Sequence, residues 1–230
     1  MRRHWWKILC IVLLLYNCIA GLLVKLPEVT AFETSNLYES MRNFFFHVPM
    51  WFSQFSLLTV SLVYSIKYLR NHTLVNDLNA DEFARTGVLM GCLGLVTGMI
   101  WAKYTWGAWW SNDPKQTGAA IAVLIYFAYF VLRNSITDMD KRARVAAVYN
   151  IFAYFLYIPL IFILPRMVES LHPGGKGAEG NPGLGGDSLE PAMRAIFWPG
   201  VLGWTLLGVW ISTLRFRVRI LEEKQQQQVA

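Results

Sequence analysis

The stretch WKILCIVLLLYNCIAGLLVK, Trp6 to Lys25, decides the fold, because it is either a leader to be removed or the first span of a membrane bundle. From Ile8 to Val24 it carries no charge. At a rise of about 1.5 Å per residue its length matches a hydrocarbon core of about 30 Å. The basic start Met1-Arg2-Arg3 suits either reading, but Leu26-Pro27-Glu28 is not a small-residue cleavage site. The run is therefore expected to be retained as a helix. Working outward, five further runs qualify, at 47–66, 84–103, 116–132, 145–164 and 195–214. The expected fold is an all-α integral membrane protein, a bundle of six transmembrane helices.

Composition agrees. Of the 230 residues, 55% are hydrophobic and only 16% are charged, with a mean hydropathy of +0.35, outside the range of a soluble domain. A net charge of +6 does not call for nucleic acid, since membrane proteins gather Lys and Arg in cytoplasmic loops for topological reasons. Cys10, Cys18 and Cys92 all lie in apolar runs, with no C-x-x-C pair and no C-x-x-C-H haem attachment site. That excludes a disulfide framework, a redox dithiol and a c-type cytochrome.

Basic residues assign the sides. One set of segments holds Arg2, Arg3, Lys7, Lys67, Arg70, Arg85, Arg133, Lys141, Arg142, Arg144, Arg215, Arg217, Arg219 and Lys224, fourteen in all. The other holds seven: Lys25, Arg42, Lys103, Lys115, Arg166, Lys176 and Arg194. Both termini are expected to be cytoplasmic. Residues 1–214 then form the membrane domain, with an external Trp-rich loop at 104–115 and an external Gly-rich loop at 165–194. Residues 215–230 form a basic, then Gln-rich, cytoplasmic tail. Within the second loop, PGGKGAEGNPGLGGD (173–187) is expected to be mobile unless a ligand orders it.

The same topology puts His47 and His172 outside, flanking WGAWWSNDPKQTG, Trp106 to Gly118. Interfacial tryptophans commonly form nothing more than an aromatic belt. Trp106, Trp109 and Trp110, three within five residues closed by Asp113-Pro114, exceed that need and suit a platform for a flat ligand. Taken singly, His47 reads as a helix-mouth cap near Pro49 and His172 as a solvated loop residue. Taken together with the indoles and without a thiolate, they suit haem held by two axial imidazoles. Its propionates call for cations at the rim, for which Lys103, Lys115, Arg166 and Arg194 are candidates and Lys115 is first, because it belongs to the Trp loop. Asp113 is a turn residue able to orient that loop.

Gly87, Gly91, Gly94 and Gly98 repeat at small-xxx-small spacing, which signifies close helix packing and not phosphate binding. No Walker or Rossmann fingerprint and no nucleophile–base triad is present. No charge falls at mid-span in the six runs, so a polar channel finds no support.

Residues 106–117 resemble the tryptophan-rich signature W-G-x-W-W-x-W-D-x-R-x-T of haem-handling membrane proteins of cytochrome c maturation. Trp106, Gly107, Trp109, Trp110, Asp113 and Thr117 match it. Asn112 stands where the family has Trp and Lys115 where it has Arg, and Pro114-Lys115 is similar to the synthetase (CcsA) branch. Six helices in about 230 residues and the placement of His47 and His172 resemble the CcmC family instead. That resemblance implies axial ligation of haem b by His47 and His172, non-covalently and in transit. It further implies a haem-edge platform from Trp106, Gly107, Trp109, Trp110, Asp113 and Lys115. The implied role is no enzyme's: haem is delivered, on the periplasmic side of the bacterial inner membrane, to a CcmE-like chaperone. A small CcmD-like subunit, a CcmA/CcmB-like ABC transporter and membrane lipid are the implied partners. The alternative is a membrane haem lyase that passes haem directly to apocytochrome, and a second is an anchoring subunit that binds none.

Overall fold

The computed structural model describes residues 4–25, 39–172, 176 and 189–229, and among these it contains helices and turns but no strand. Six helices are long and apolar enough to cross a membrane: α1 (Trp5–Leu23), α2 (Phe44–Asn71), α3 (Leu74–Trp106), α4 (Pro114–Ser135), α5 (Met139–Ile158) and α6 (Pro191–Val229). A 3₁₀ turn, Met41–Asn43, leads into α2, while α5 continues through a π-turn, Pro159–Ile163, into the short helix Leu164–Met167.

Most helices outrun the apolar runs that announce them. The reason is clearest on α3, where Asp77, Asp81 and Glu82 fall in the first turns yet are buried. Arg133 of α4 meets Asp77 through two bonds of 2.7 and 2.6 Å and lies 3.4 Å from Asp81, which also binds Arg85 at 3.0 Å. Glu82 binds Arg215 of α6 at 2.5 Å. Such partners offset the cost of burying the acids, and the helix need not end where polarity begins. The expected Gln-rich tail likewise continues as helix to Val229.

Packing follows residue size. α2 is central, lying against α3, α5 and α6, while α1 rests mainly on α6. On α3 the four glycines face α2 one by one: Gly87 under Leu58, Gly91 under Gln54, Gly94 under Trp51 and Gly98 under His47. A Cβ at each would come within 2.4 to 2.9 Å of those side chains, so the glycines let the two helices approach closely without displacing them. α1 leaves Ile8, Ile11, Leu15, Ile19 and Leu22 exposed, a surface that lipid would cover.

The π-turn also depends on a glycine. A Cβ at Gly118 of α4 would stand 2.5 Å from the Leu160 carbonyl oxygen, so α4 and the turn approach backbone to side-chain-free backbone. The wide turn aims Ile161 and Phe162 at the space between α2 and α4. The ion-pair network stands at the start of α3 and the other end of the bundle holds the cavity. From Asp81 to Gly98 is about 25 Å along the axis. Of the Gly-rich stretch 173–187, all but Lys176 lies outside the described residues.

Candidate functional site

At the end where α2 and α4 begin and α3 finishes, a cavity of about 260 Å³ opens. His47 and Trp51 of α2, packed on Gly94 and Gly98 of α3, line it together with Trp101. Trp110 of the connecting loop, Lys115 and Gln116 of α4, Phe162 of the π-turn, then Arg166 and His172 complete the wall. Two histidines more than a hundred residues apart in sequence thus line one space.

Each imidazole is held by its Nδ1. For His47, Nδ1 lies 3.0 Å from the Gly94 carbonyl oxygen and 3.1 Å from Thr97 Oγ1. A carbonyl only accepts, so the proton sits on Nδ1 and Nε2 carries the lone pair. That lone pair accepts the indole N–H of Trp51, one turn along the helix, at 3.3 Å. The Trp51 and Trp101 rings stand edge-on to His47 at 6.0 and 5.9 Å.

For His172, Nδ1 donates to Asp113 Oδ1 at 2.7 Å, which again leaves the lone pair on Nε2. Asp113 is the organiser of this corner. It caps α4 through the Lys115 N–H at 2.8 Å, and its other oxygen accepts from Ser170 Oγ at 2.8 Å and the Leu171 N–H at 2.6 Å. Burial would raise its pKa, but the hydrogen bond and charge of His172, with the bonds from Ser170 and the Lys115 amide, outweigh burial. They hold the carboxyl well below the usual carboxylate range. One side chain therefore starts α4, fixes the segment 170–172 and orients an imidazole.

The tryptophans divide. Trp106 ends α3 and meets the His172 ring edge-on at 4.8 Å. Gly107 closes the helix at φ 79°, a left-handed conformation that suits glycine, and its carbonyl accepts from Lys103 Nζ at 2.9 Å. Trp110 lines the cavity and its indole N–H donates to Asn112 Oδ1 at 2.9 Å. Trp109 is 52% exposed and is absent from the wall. The segment between α3 and α4 is shorter than the expected 104–115 loop, because residues 104–106 belong to the helix. Asn112 has φ 56°, where Asn is tolerated far better than Trp.

Of the four candidate rim cations, Lys115 and Arg166 line the cavity, whereas Arg194 donates to the Leu189 carbonyl at 2.9 Å and Lys103 serves the Gly107 cap. Arg166 also donates to the Phe162 carbonyl. Sequence reasoning missed Trp51 and Gln116. Trp51 could have been found from its spacing of four from His47 and its match to the glycine repeat of α3. Gln116 Oε1 accepts from Ser111 through the backbone N–H at 3.0 Å and Oγ at 2.8 Å, and its Nε2 is buried without a partner among the described residues.

These features define a multi-pass membrane protein with a cavity at one end of its bundle, walled by indoles and two imidazoles. Comparison with known proteins narrows the class. The sequence matches the model of the CcmC family, described as Heme exporter protein C, over residues 2–230, and the chain belongs to that family. It is 28% identical to the Heme exporter protein C of Haemophilus influenzae over 165 residues, covering 71% of this chain and 62% of that protein. Identity to the proteins of the same name is 26% over 176 residues in Paracoccus denitrificans and 24% over 182 residues in Escherichia coli K12. The matched regions cover 76% and 79% of this chain and 71% of each relative. The chain thus spans less than two thirds of the Haemophilus protein's length.

Proposed function

We propose that this protein binds haem b non-covalently between His47 and His172 and hands it to a haem chaperone of the CcmE kind during cytochrome c maturation. The carrying observation is that both histidines line one cavity with Nδ1 bonded to an oxygen, so that each Nε2 carries a lone pair and not a proton. Membership of a family described as Heme exporter protein C supports the same reading. Haem here is cargo, and two neutral imidazoles with ring contacts suit reversible holding better than thioether bonds would.

The chain's own residues supply the rest. Trp101 and Trp110 line the cavity and offer apolar faces and edges to a flat ring system, Trp106 stands behind the His172 ring outside the wall, and Trp109 lies toward the outside and suits a partner or lipid. Lys115, Arg166 and the Gln116 amide N–H lie at the polar side and suit the propionates. The fourteen Lys and Arg in the segments at the opposite end from the cavity, against seven on the cavity's side, support a reading with both termini in the cytoplasm and the cavity on the periplasmic face of the inner membrane. The companions in this reading are a small CcmD-like subunit and a CcmA/CcmB-like transporter pair. Transfer needs no bond-making by this chain.

The test is the visible spectrum, oxidised and reduced, of detergent-purified protein. A low-spin bis-imidazole spectrum in the wild type, altered in both His47→Ala and His172→Ala, is expected. A wild type that neither carries haem nor takes it up would overturn the reading.

A further inference from the structure

The two imidazoles are not equivalent. Among the described residues no hydrogen bond reaches Nε2 of His172, while Nε2 of His47 is already taken by the Trp51 indole N–H. The atom that the proposed function assigns to iron is therefore the atom to which the Trp51 indole N–H donates. The two Nδ1 partners differ in the same sense. A carboxylate backs His172 and strengthens its donation to a metal, whereas a neutral carbonyl and a hydroxyl back His47.

Neither member of the Trp51–His47 pair is free to drift. His47 is bonded to Gly94 and Thr97 and sits against Gly98, where a Cβ would stand 2.7 Å from its Cε1. The Trp51 ring lies on Gly94, where a Cβ would stand 2.8 Å from Cε2. Both side chains leave one helix four residues apart, the spacing at which two side chains on a helix meet.

We infer that Trp51 is a release residue, competing with iron for the Nε2 lone pair of His47 and making His47 the labile axial ligand and His172 the persistent one. This rests on the haem reading above. The exchange balances simply: the Fe–Nε2 bond breaks, the indole N–H donates to the same lone pair, and no proton changes atom because Nδ1 keeps its own through Gly94. The iron then stays on His172 with its other axial position open, and the haem departs when an acceptor's ligand takes that position and the Fe–Nε2 bond to His172 breaks in turn. A carrier built this way holds haem less tightly than two unopposed imidazoles would, which is the requirement of a donor in a transfer step. The cost of the competing hydrogen bond is worth about three- to tenfold in affinity.

The experiment uses the full chain in detergent, loaded with haem, with excess apomyoglobin capturing what dissociates. Trp51→Phe should slow haem release three- to tenfold and keep the low-spin spectrum. In a His47→Gly background, Trp51→Phe should have no effect on release. Replacing Trp51 by benzothienylalanine, which exchanges only the N–H for sulfur, should slow release likewise, and it serves if the Phe variant folds poorly. Release from the variants at or above the wild-type rate overturns the inference while leaving the haem site standing, as does an equal effect with and without His47. A wild type that binds no haem removes the proposed function and this inference together.

Discussion

Gly98 is where it is because His47 is where it is: a Cβ on residue 98 would stand 2.7 Å from His47 Cε1 and 3.3 Å from Nδ1. The imidazole is flanked by its bonds to Gly94 and Thr97 and cannot yield without losing them. Gly98→Ala therefore acts on the ring alone. Overpacking of about 1–3 kcal/mol falls on the haem-bound geometry, so haem affinity should drop roughly five- to hundredfold. Gly87→Ala meets the end of the flexible Leu58 side chain and should bind haem as the wild type does. Equal losses in the two variants, read by haem titration, would make the effect one of general helix packing.

Asp113 gives a pH prediction whose sign follows from its depressed pKa. A carboxyl held below its ordinary value contributes stability that is complete above the ordinary value and is lost only as pH falls through the lower, folded one. Asp113→Asn should cost about 2 kcal/mol at neutral pH, because the charge-assisted bonds to His172, Ser170 and Leu171 weaken together. Thermal melts of the two proteins should stay equally far apart from pH 7 to about 5 and converge only below about pH 4. Convergence nearer neutrality would mean that Asp113 is not the group in charge of this corner.

How far the sequence reaches can be judged at particular residues. The six spans were legible because apolar runs of about 20 residues admit little else. Their ends were not, because Asp77, Asp81 and Glu82 read as loop charges until Arg133 and Arg215, from distant segments, are seen to neutralise them. His47 and His172 were legible as outward residues, yet nothing in the local sequence says that Asp113 aims one and Gly94 the other. Pro159 sat unnoticed inside an apolar run, and the π-turn that begins there needs Gly118 on another helix. Trp109 and Trp110 are neighbours of identical type that part company, since which indole faces the cavity depends on the left-handed turns at Gly107 and Asn112.

Asn112 departs from the family's tryptophan, and two variants separate its two contributions. Asn112→Gly keeps the left-handed backbone but removes the acceptor of the Trp110 N–H, so the melt should change by under about 0.5 kcal/mol while haem binding weakens. Asn112→Trp restores the family residue at φ 56° and should cost about 1–2 kcal/mol of strain. Thermal melts with parallel haem titrations check both. A Trp variant as stable as the wild type would mean that the loop relaxes to another backbone path.

Arg133 tests whether the two ends of the bundle are separable. Its guanidinium neutralises Asp77 and Asp81 in a region where all three are buried, and Tyr129 adds a long contact to Asp81 at 3.5 Å. Arg133→Leu would leave two acids facing each other with only Arg85 beside one of them. Removing one partner of such a network costs about 3–5 kcal/mol, because the remaining charge is left without compensation. The melt in detergent should fall accordingly. The cavity lies about 25 Å away along α3, across the glycine-packed seam with α2, and among the described residues no hydrogen bond or ion pair joins a cavity residue to the network. Protein that remains folded should therefore bind haem with the wild-type spectrum. A changed spectrum in folded Arg133→Leu would show that the charge network and the haem end are coupled through α3, and would make the seam between α2 and α3 the place to look for the coupling.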